Sequence, residues 1–257
     1  MNPAYFFAAL LLAVALVVWL ARRNRQVIQE RDEKFARQAW QAGWSFSVNP
    51  QYTGFVNLQS GKARERQHDI PFRFEGGQER APWSMWYDNG LRFRAGAADA
   101  AQPTTAIFEC RGVHAPRLAA MILPRSHFRA ESGPVLGSVE RAFGAFLAFA
   151  LGDEAVESRQ EFFQHAVEMP GASPQLRESF AVLVGPDTVR GWLDAELQAM
   201  LLGWAGQGAS AGVALSMQLG PEGLRVAVRQ PPFDDWAFWE RLGRLGEALC
   251  TRLGARP

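Results

Sequence analysis

Cys110 and His114 place a thiol and an imidazole four residues apart, the raw material of an activated nucleophile. The run between them, Arg111-Gly112-Val113, reads as the end of a strand, and on that backbone the two side chains need not face each other. The four histidines, His68, His114, His127 and His165, include no HExxH and no His, Cys or Glu partner at zinc-ligand spacing. His114 and His127 flank a strand expected at 118–123. With Cys110 and Glu109 they form the best acid–base or metal constellation available, and it requires long-range convergence. No metal ligand, cofactor or catalytic residue is assigned.

Other chemistry-bearing patterns fail on their spacing. Gly133-Pro134 and Gly137-Ser138 supply no Gly-x-Ser-x-Gly elbow. Gly152-Asp153, Gly171-Ala172 and the glycines of 206–212 lack the Lys-Ser/Thr that completes a phosphate loop, and the last group precedes a strand rather than a helix. The acidic pairs Asp153-Glu154 and Asp234-Asp235 lie where helices are expected to begin. There the macrodipole stabilises each charge by about 0.3–1 kcal/mol, which accounts for them without catalysis. The basic stretch 62–68 reads as a solvated hairpin loop. The aromatic group Trp83, Trp86 and Tyr87 remains. On a strand Trp83 and Tyr87 share a face while Trp86 takes the other, so Trp83 and Tyr87 are a candidate ligand surface, and a buried strand gives the same letters.

Composition narrows the classes. At 48% hydrophobic and 21% charged, the 257 residues can fill a core. Lys and Arg total 27 against 26 Asp and Glu, a net charge of +1, so there is no global electrostatic case for nucleic acid. Two cysteines, Cys110 and Cys250, make no disulfide framework and read as two reduced, partly buried thiols. Most of the nine tryptophans, Trp192 and Trp239 among them, fall on apolar faces and are expected in the core.

The elements follow from periodicity. Residues 44–123 are expected to form short strands in an antiparallel meander, with a hairpin turning at Asn89-Gly90. Residues 138–151 read as an apolar helix, or else as a strand pair broken at Gly144. The last third reads strand (180–184), helix from Asp187 to about Leu202, flexible loop (206–212), hairpin about 220–223, and a final helix to about Leu253. Asp234 is the expected N-cap of that helix and Phe238, Leu242, Leu245 and Leu249 its buried stripe. The fold class expected is α+β: an N-terminal transmembrane helix, β meander and hairpins, then a strand–helix–hairpin–helix unit.

The transmembrane reading rests on residues 4–21, AYFFAALLLAVALVVWLA, which carry no charge and have Tyr5 and Trp19 near their ends. As a helix this run is about 27 Å long, close to the roughly 30 Å of a bilayer's hydrocarbon. No positive n-region precedes it and no small-x-small cleavage pattern follows it, which disfavours a signal peptide. Arg22, Arg23 and Arg25 flank its C-terminal side, so the N-terminus is expected outside the cell membrane and the bulk of the chain in the cytoplasm. Residues 22–42 are rich in helix formers and stop at Gly43. They read as a juxtamembrane stalk whose narrow apolar face is Ile28, Phe35 and Ala39 with Trp40. Ala9 and Ala13 give a faint four-residue signal for a homodimer through anchor and stalk.

The expected organisation is thus an anchor (1–21), a stalk (22–43), a β-rich region (44–130) and an α+β region (131–257), the last two separate or forming one domain. This layout, the Gly-Trp-x-Phe strand at Gly43 to Phe46, and the late Glu161-Phe162-Phe163 and FAVLV (180–184) segments resemble a group of uncharacterised bacterial single-span membrane-anchored proteins with a cytoplasmic domain of unknown function. The resemblance implies no activity and no site residues. The expected partners are the lipid bilayer and another membrane or cytoplasmic protein, with the domain an interaction or scaffold module. A hydrolase-like enzyme and a ligand- or lipid-headgroup-binding domain are the alternatives.

Overall fold

The computed structural model describes residues 3–48, 71–77, 81–88, 105–125, 162–186, 191–211 and 214–254; side chains in the first helix are described from Leu11, and those of 206–211 are not. The expected strand after Asn89-Gly90, the segment 138–151, the basic stretch 62–68, Asp153-Glu154, His68 and His127 lie outside these residues.

One helix, α1 (Pro3–Gln41), spans both the apolar run and the expected stalk without a break. It ends where the sequence supplies a glycine. Gly43 takes φ +79°, its N–H donates to the Trp40 carbonyl at 3.1 Å, and the Trp44 N–H donates to Ala39 at 2.8 Å. This 5→2 and 6→1 pair closes a Schellman motif and satisfies carbonyls that would otherwise be orphaned.

Among the described residues nine strands follow, β1 (Ser45–Val48), β2 (Phe72–Gly76), β3 (Trp83–Asp88), β4 (Thr105–Cys110), β5 (Ala120–Pro124), β6 (Val167–Glu168), β7 (Phe180–Val184), β8 (Ala214–Gly220) and β9 (Gly223–Arg229). They make one antiparallel sheet in the order β1-β2-β3-β4-β9-β8-β5-β7-β6. The β8–β9 hairpin inserts between β4 and β5, so strands from 44–130 and from 131–257 share a single sheet. Gly223 makes that hairpin's turn at φ +119°, and a Cβ on it would stand 2.5 Å from the Cys110 carbonyl oxygen. Only glycine fits that approach.

Register separates the sheet's two faces. One cross-strand row runs Phe46, Phe74, Met85, Phe108, Val226, Met217, Ile122, Val182, apolar at every step. The neighbouring row, on the opposite face, runs Ser45, Glu75, Ser84, Glu109, Arg225, Gln218 and becomes apolar only at Met121 and Leu183. The apolar face is the one the long helices cover, while Phe162 and Phe163 of the helical stretch 162–165 pack on Met121, Leu123 and Leu183 at the apolar end of the other.

Among the described residues α1 is accompanied by α2 (Pro174–Ser179), α3 (Ala195–Ala211) and α4 (Trp236–Gly254), and residues 162–165 are helical as well. Ser173 caps α2, its hydroxyl accepting the Leu176 N–H at 3.3 Å with Pro174 following it. Three expectations need correction. The helix expected from Asp187 begins only at Ala195, because Asp194 is its cap: Oδ1 accepts the Leu197 N–H at 2.8 Å, and Trp192 and Leu193 are buried just ahead of it. The helix then continues to Ala211 through the expected loop, since Ala205, Ala209 and Ala211 favour helix enough to carry the intervening glycines. In α4 the cap is Asp235, which accepts the Ala237 N–H at 3.0 Å, rather than Asp234. The expected stripe of α4, Phe238, Leu242, Leu245 and Leu249, is buried throughout.

Candidate functional site

Helix α1 divides into two halves of opposite character. From Leu11 to Leu20 every side chain is exposed although every one is apolar: Leu12 is 72% exposed and Val17 65%. Nothing else in the described fold packs on them. Trp19 ends this stretch with the Arg23 guanidinium 5.3 Å from its ring, an indole and a cation set where an apolar segment meets water. Arg22 and Arg25 are exposed beside it. Among the described residues no helix is long and apolar enough to cross a membrane. The described side chains of α1 begin at Leu11, seven positions into the apolar run that starts at Ala4.

The second half is not a free stalk, and the reason is its aromatic register. Phe35 is 0% exposed and meets the rings of Phe46, Phe72, Phe74 and Trp236 at 5.6–6.2 Å between centroids. Ala39, one turn on, is equally buried, and Ile28 half-buried. Trp40, placed on the same apolar face by sequence, is 81% exposed. It sits about 100° round the helix from Ala39, and the docking face is too narrow to include it. Docking begins at Arg31. Its guanidinium holds Asp32 (2.7 Å), reaches Asp234 (3.5 Å), and lies 5.2 Å from the Phe72 ring and 5.9 Å from that of Phe233. The sequence reading missed this residue; its signal was an arginine four positions before Phe35 on the one apolar stripe.

Trp44, the first residue past the cap, completes the attachment. Its indole N–H donates to the Glu247 carboxylate at 3.0 Å and its ring lies edge-on to Trp83 at 5.2 Å. The ring also covers Gly243 of α4, where a Cβ would stand 2.4 Å from it. The helix cap is therefore pinned to α4 and to β3 together.

Trp83 and Tyr87 do share a face of β3, and that face is the core. They are 3% and 7% exposed, Trp83 packed between Trp44 and Phe108 and Tyr87 stacked on Phe233 at 5.1 Å. This corrects their reading as a ligand surface: β3 is an interior strand, and its apolar face lies beneath α4 and the end of α1. Trp86 occupies the other face, with the Arg73 guanidinium 5.3 Å from its ring.

The thiol–imidazole constellation does not assemble. Cys110 is buried on the inward face of β4, whereas His114 is exposed beyond the turn that ends the strand. Glu109 points to the opposite face and accepts from Arg111 at 2.6 Å. The partner Cys110 does find is Cys250 on α4. Their thiols hydrogen-bond, and that bond, aided by the Val113 and Gly112 N–H groups and opposed by burial, lowers the Cys110 pKa to about 7. The same contact, with burial, drives the Cys250 thiol far up. Among the described residues no group of three His, Cys, Asp or Glu side chains is placed to hold a metal ion.

What the geometry offers, then, is an exposed apolar helix joined to a closed core. No family model matches the chain, and no curated protein and no solved structure matches it either.

Proposed function

We propose that the chain is a single-pass membrane-anchored protein whose α+β domain works at the cytoplasmic face as an interaction module. The observation that carries the reading is the run of exposed apolar side chains on α1 from Leu11 to Leu20, continuous with a helix end buried in the core. Burying such a surface yields about 25 cal/mol per Å², and water offers it no partner, whereas lipid does. Residues 4–21 form the span. Arg22, Arg23 and Arg25 stay on the cytoplasmic side, where each contributes about 1 kcal/mol of attraction to anionic headgroups.

The docked half of α1 gives the domain a fixed standoff. From Ala21 to Arg31, where docking starts, the helix rises about 15 Å. The domain is thereby presented away from the headgroups, which suits capture of a protein partner better than contact with lipid. The buried Trp83 and Tyr87 favour the same choice, because they remove the candidate lipid- or ligand-reading face.

Membrane preparations washed with alkaline carbonate test the anchor: the protein stays in the pellet, and release into the supernatant overturns the reading. C-terminal reporter fusions test the orientation. A fluorescent-protein fusion glows and an alkaline-phosphatase fusion is silent if the domain is cytoplasmic; active phosphatase reverses the assignment. Crosslinking in intact membranes tests the interaction role. It recovers a reproducible partner band, and its absence across crosslinker lengths removes that role.

A further inference from the structure

We infer that Cys110 and Cys250 form a redox-active dithiol that closes to an intrachain disulfide under hydrogen peroxide, fastening α4 to the sheet. Helix α4 lies along β4 in a defined register. Gly246 rests against Phe108, so closely that a Cβ would stand 2.3 Å from the ring, and Gly254 faces Val113, where a Cβ would stand 3.1 Å from a methyl group. Cys250 lies between those glycines at helical spacing, as Cys110 lies between Phe108 and Val113 on the strand side. The missing glycine side chains let the helix sit low. That register lays Cys250 over Cys110, and the two thiols hydrogen-bond.

The surroundings favour a thiolate at Cys110. The Cys250 thiol, with the Val113 and Gly112 N–H groups in the turn that ends β4, holds its pKa down to about 7 against the opposing effect of burial. Both side chains are buried, so the oxidant proposed is a small one, hydrogen peroxide, rather than a bulky disulfide reagent. The Cys110 thiolate attacks one peroxide oxygen, the O–O bond breaks, and Cys110 becomes a sulfenic acid while hydroxide leaves. The Cys250 sulfur then attacks the Cys110 sulfur, the S–O bond breaks, and a second hydroxide leaves. The two protons of the original thiols convert both hydroxides to water, so two thiols are oxidised by two electrons and one peroxide is reduced. The chemistry holds on either side of a membrane; in a reducing cytoplasm the bond is transient and signals oxidant rather than serving as a permanent staple.

The full-length protein in detergent micelles, reduced and then freed of reductant, is exposed to hydrogen peroxide and unfolded in N-ethylmaleimide. Intact mass is expected to fall by about 2 Da with no maleimide added, reductant restores both maleimide sites, and digestion yields a peptide joining Cys110 to Cys250. Thiol loss runs about tenfold faster at about pH 8 than at about pH 6, following the Cys110 thiolate. The Cys250→Ala variant stops at a sulfenic acid on Cys110, trapped by dimedone. Two maleimide adducts on peroxide-treated wild type, further oxygen addition to Cys110 in place of the disulfide, or a bond only between chains each overturn the proposal. Because the wild-type mass is decisive alone, misfolding of the variant leaves the test intact.

Discussion

The two halves of α1 share one backbone and differ in everything else. From Leu11 to Leu20 the helix is apolar on all sides and covered by nothing in the described fold; from Arg31 on it is mostly polar and locked into the core through Arg31, Phe35 and Ala39. Helix continuity therefore says nothing about which residues belong to the domain. A single phenylalanine among charged neighbours decides membership more firmly than ten consecutive apolar residues, because Phe35 has a matching aromatic socket and Leu11 to Leu20 have none. The lesson is that apolar content tells how much a segment needs burial, and its spacing tells in what.

Truncating Phe35 should break the contrast most severely. Phe35→Ala empties the centre of the ring cluster and is expected to cost about 3–5 kcal/mol, read as a lower denaturant midpoint for the domain in micelles. A change below about 1 kcal/mol would mean the docking face is not part of the cooperative core. The matching perturbation in the other half is Leu16→Arg. It should leave the domain's unfolding within about 0.5 kcal/mol of wild type while opposing bilayer insertion by about 2.5–3.5 kcal/mol, seen as loss from the carbonate-washed pellet. Unchanged pelleting combined with a destabilised domain would invert the comparison.

Smaller effects test how the docked half is held. Gly243→Val drives a branched side chain into the Trp44 ring and is expected to cost about 1–3 kcal/mol through overpacking, with a shift in tryptophan emission as the indole leaves its pocket. Arg31→Ala removes a half-buried cation from two carboxylates and two rings. The expected loss is about 1–2 kcal/mol, detected as faster amide exchange over the helix after Ala21 and unchanged exchange in β8 and β9. Protection lost uniformly would show that Arg31 stabilises the whole fold rather than the joint.

Acid offers the mildest separation. Asp194 caps α3 and accepts from Arg252 at 2.5 Å, and that partner, with the Leu197 N–H, lowers its pKa below the ordinary 3.8. Its contribution is complete above the unfolded pKa and is lost as pH falls through the lower folded one. Acidification below about pH 4 should therefore loosen α3, and Asp194→Asn should flatten that part of the pH profile, whereas the rings packed on Phe35 carry no titrating group of their own.

Several features were legible from residues alone. The Schellman stop at Gly43, eight of the nine strands, the hairpin at Gly223 and the inward stripe of α4 all follow from glycine placement and period. Less was legible of the candidate sites. Cys110 continues the inward alternation of Ala106 and Phe108, and Cys250 sits next to Leu249 on the inward side of α4, so each could be read as buried. That they meet depends on how α4 is laid over β4, and Gly246 and Gly254 fix this only in combination with Phe108 and Val113.

The sequence by itself determined the local choices: where α1 must stop and which face of each strand is apolar. These rest on φ preferences and side-chain period, both of which act within a few residues. Only the tertiary structure decided that the β-rich and α+β regions share one sheet, that the apparent stalk is half core, and that Trp83 and Tyr87 face inward rather than out. Each of those turns on which surface meets which across long stretches of chain. An alternating strand carries the same letters whether its apolar face meets a helix or a ligand, so burial there is set by the partner and not by the strand.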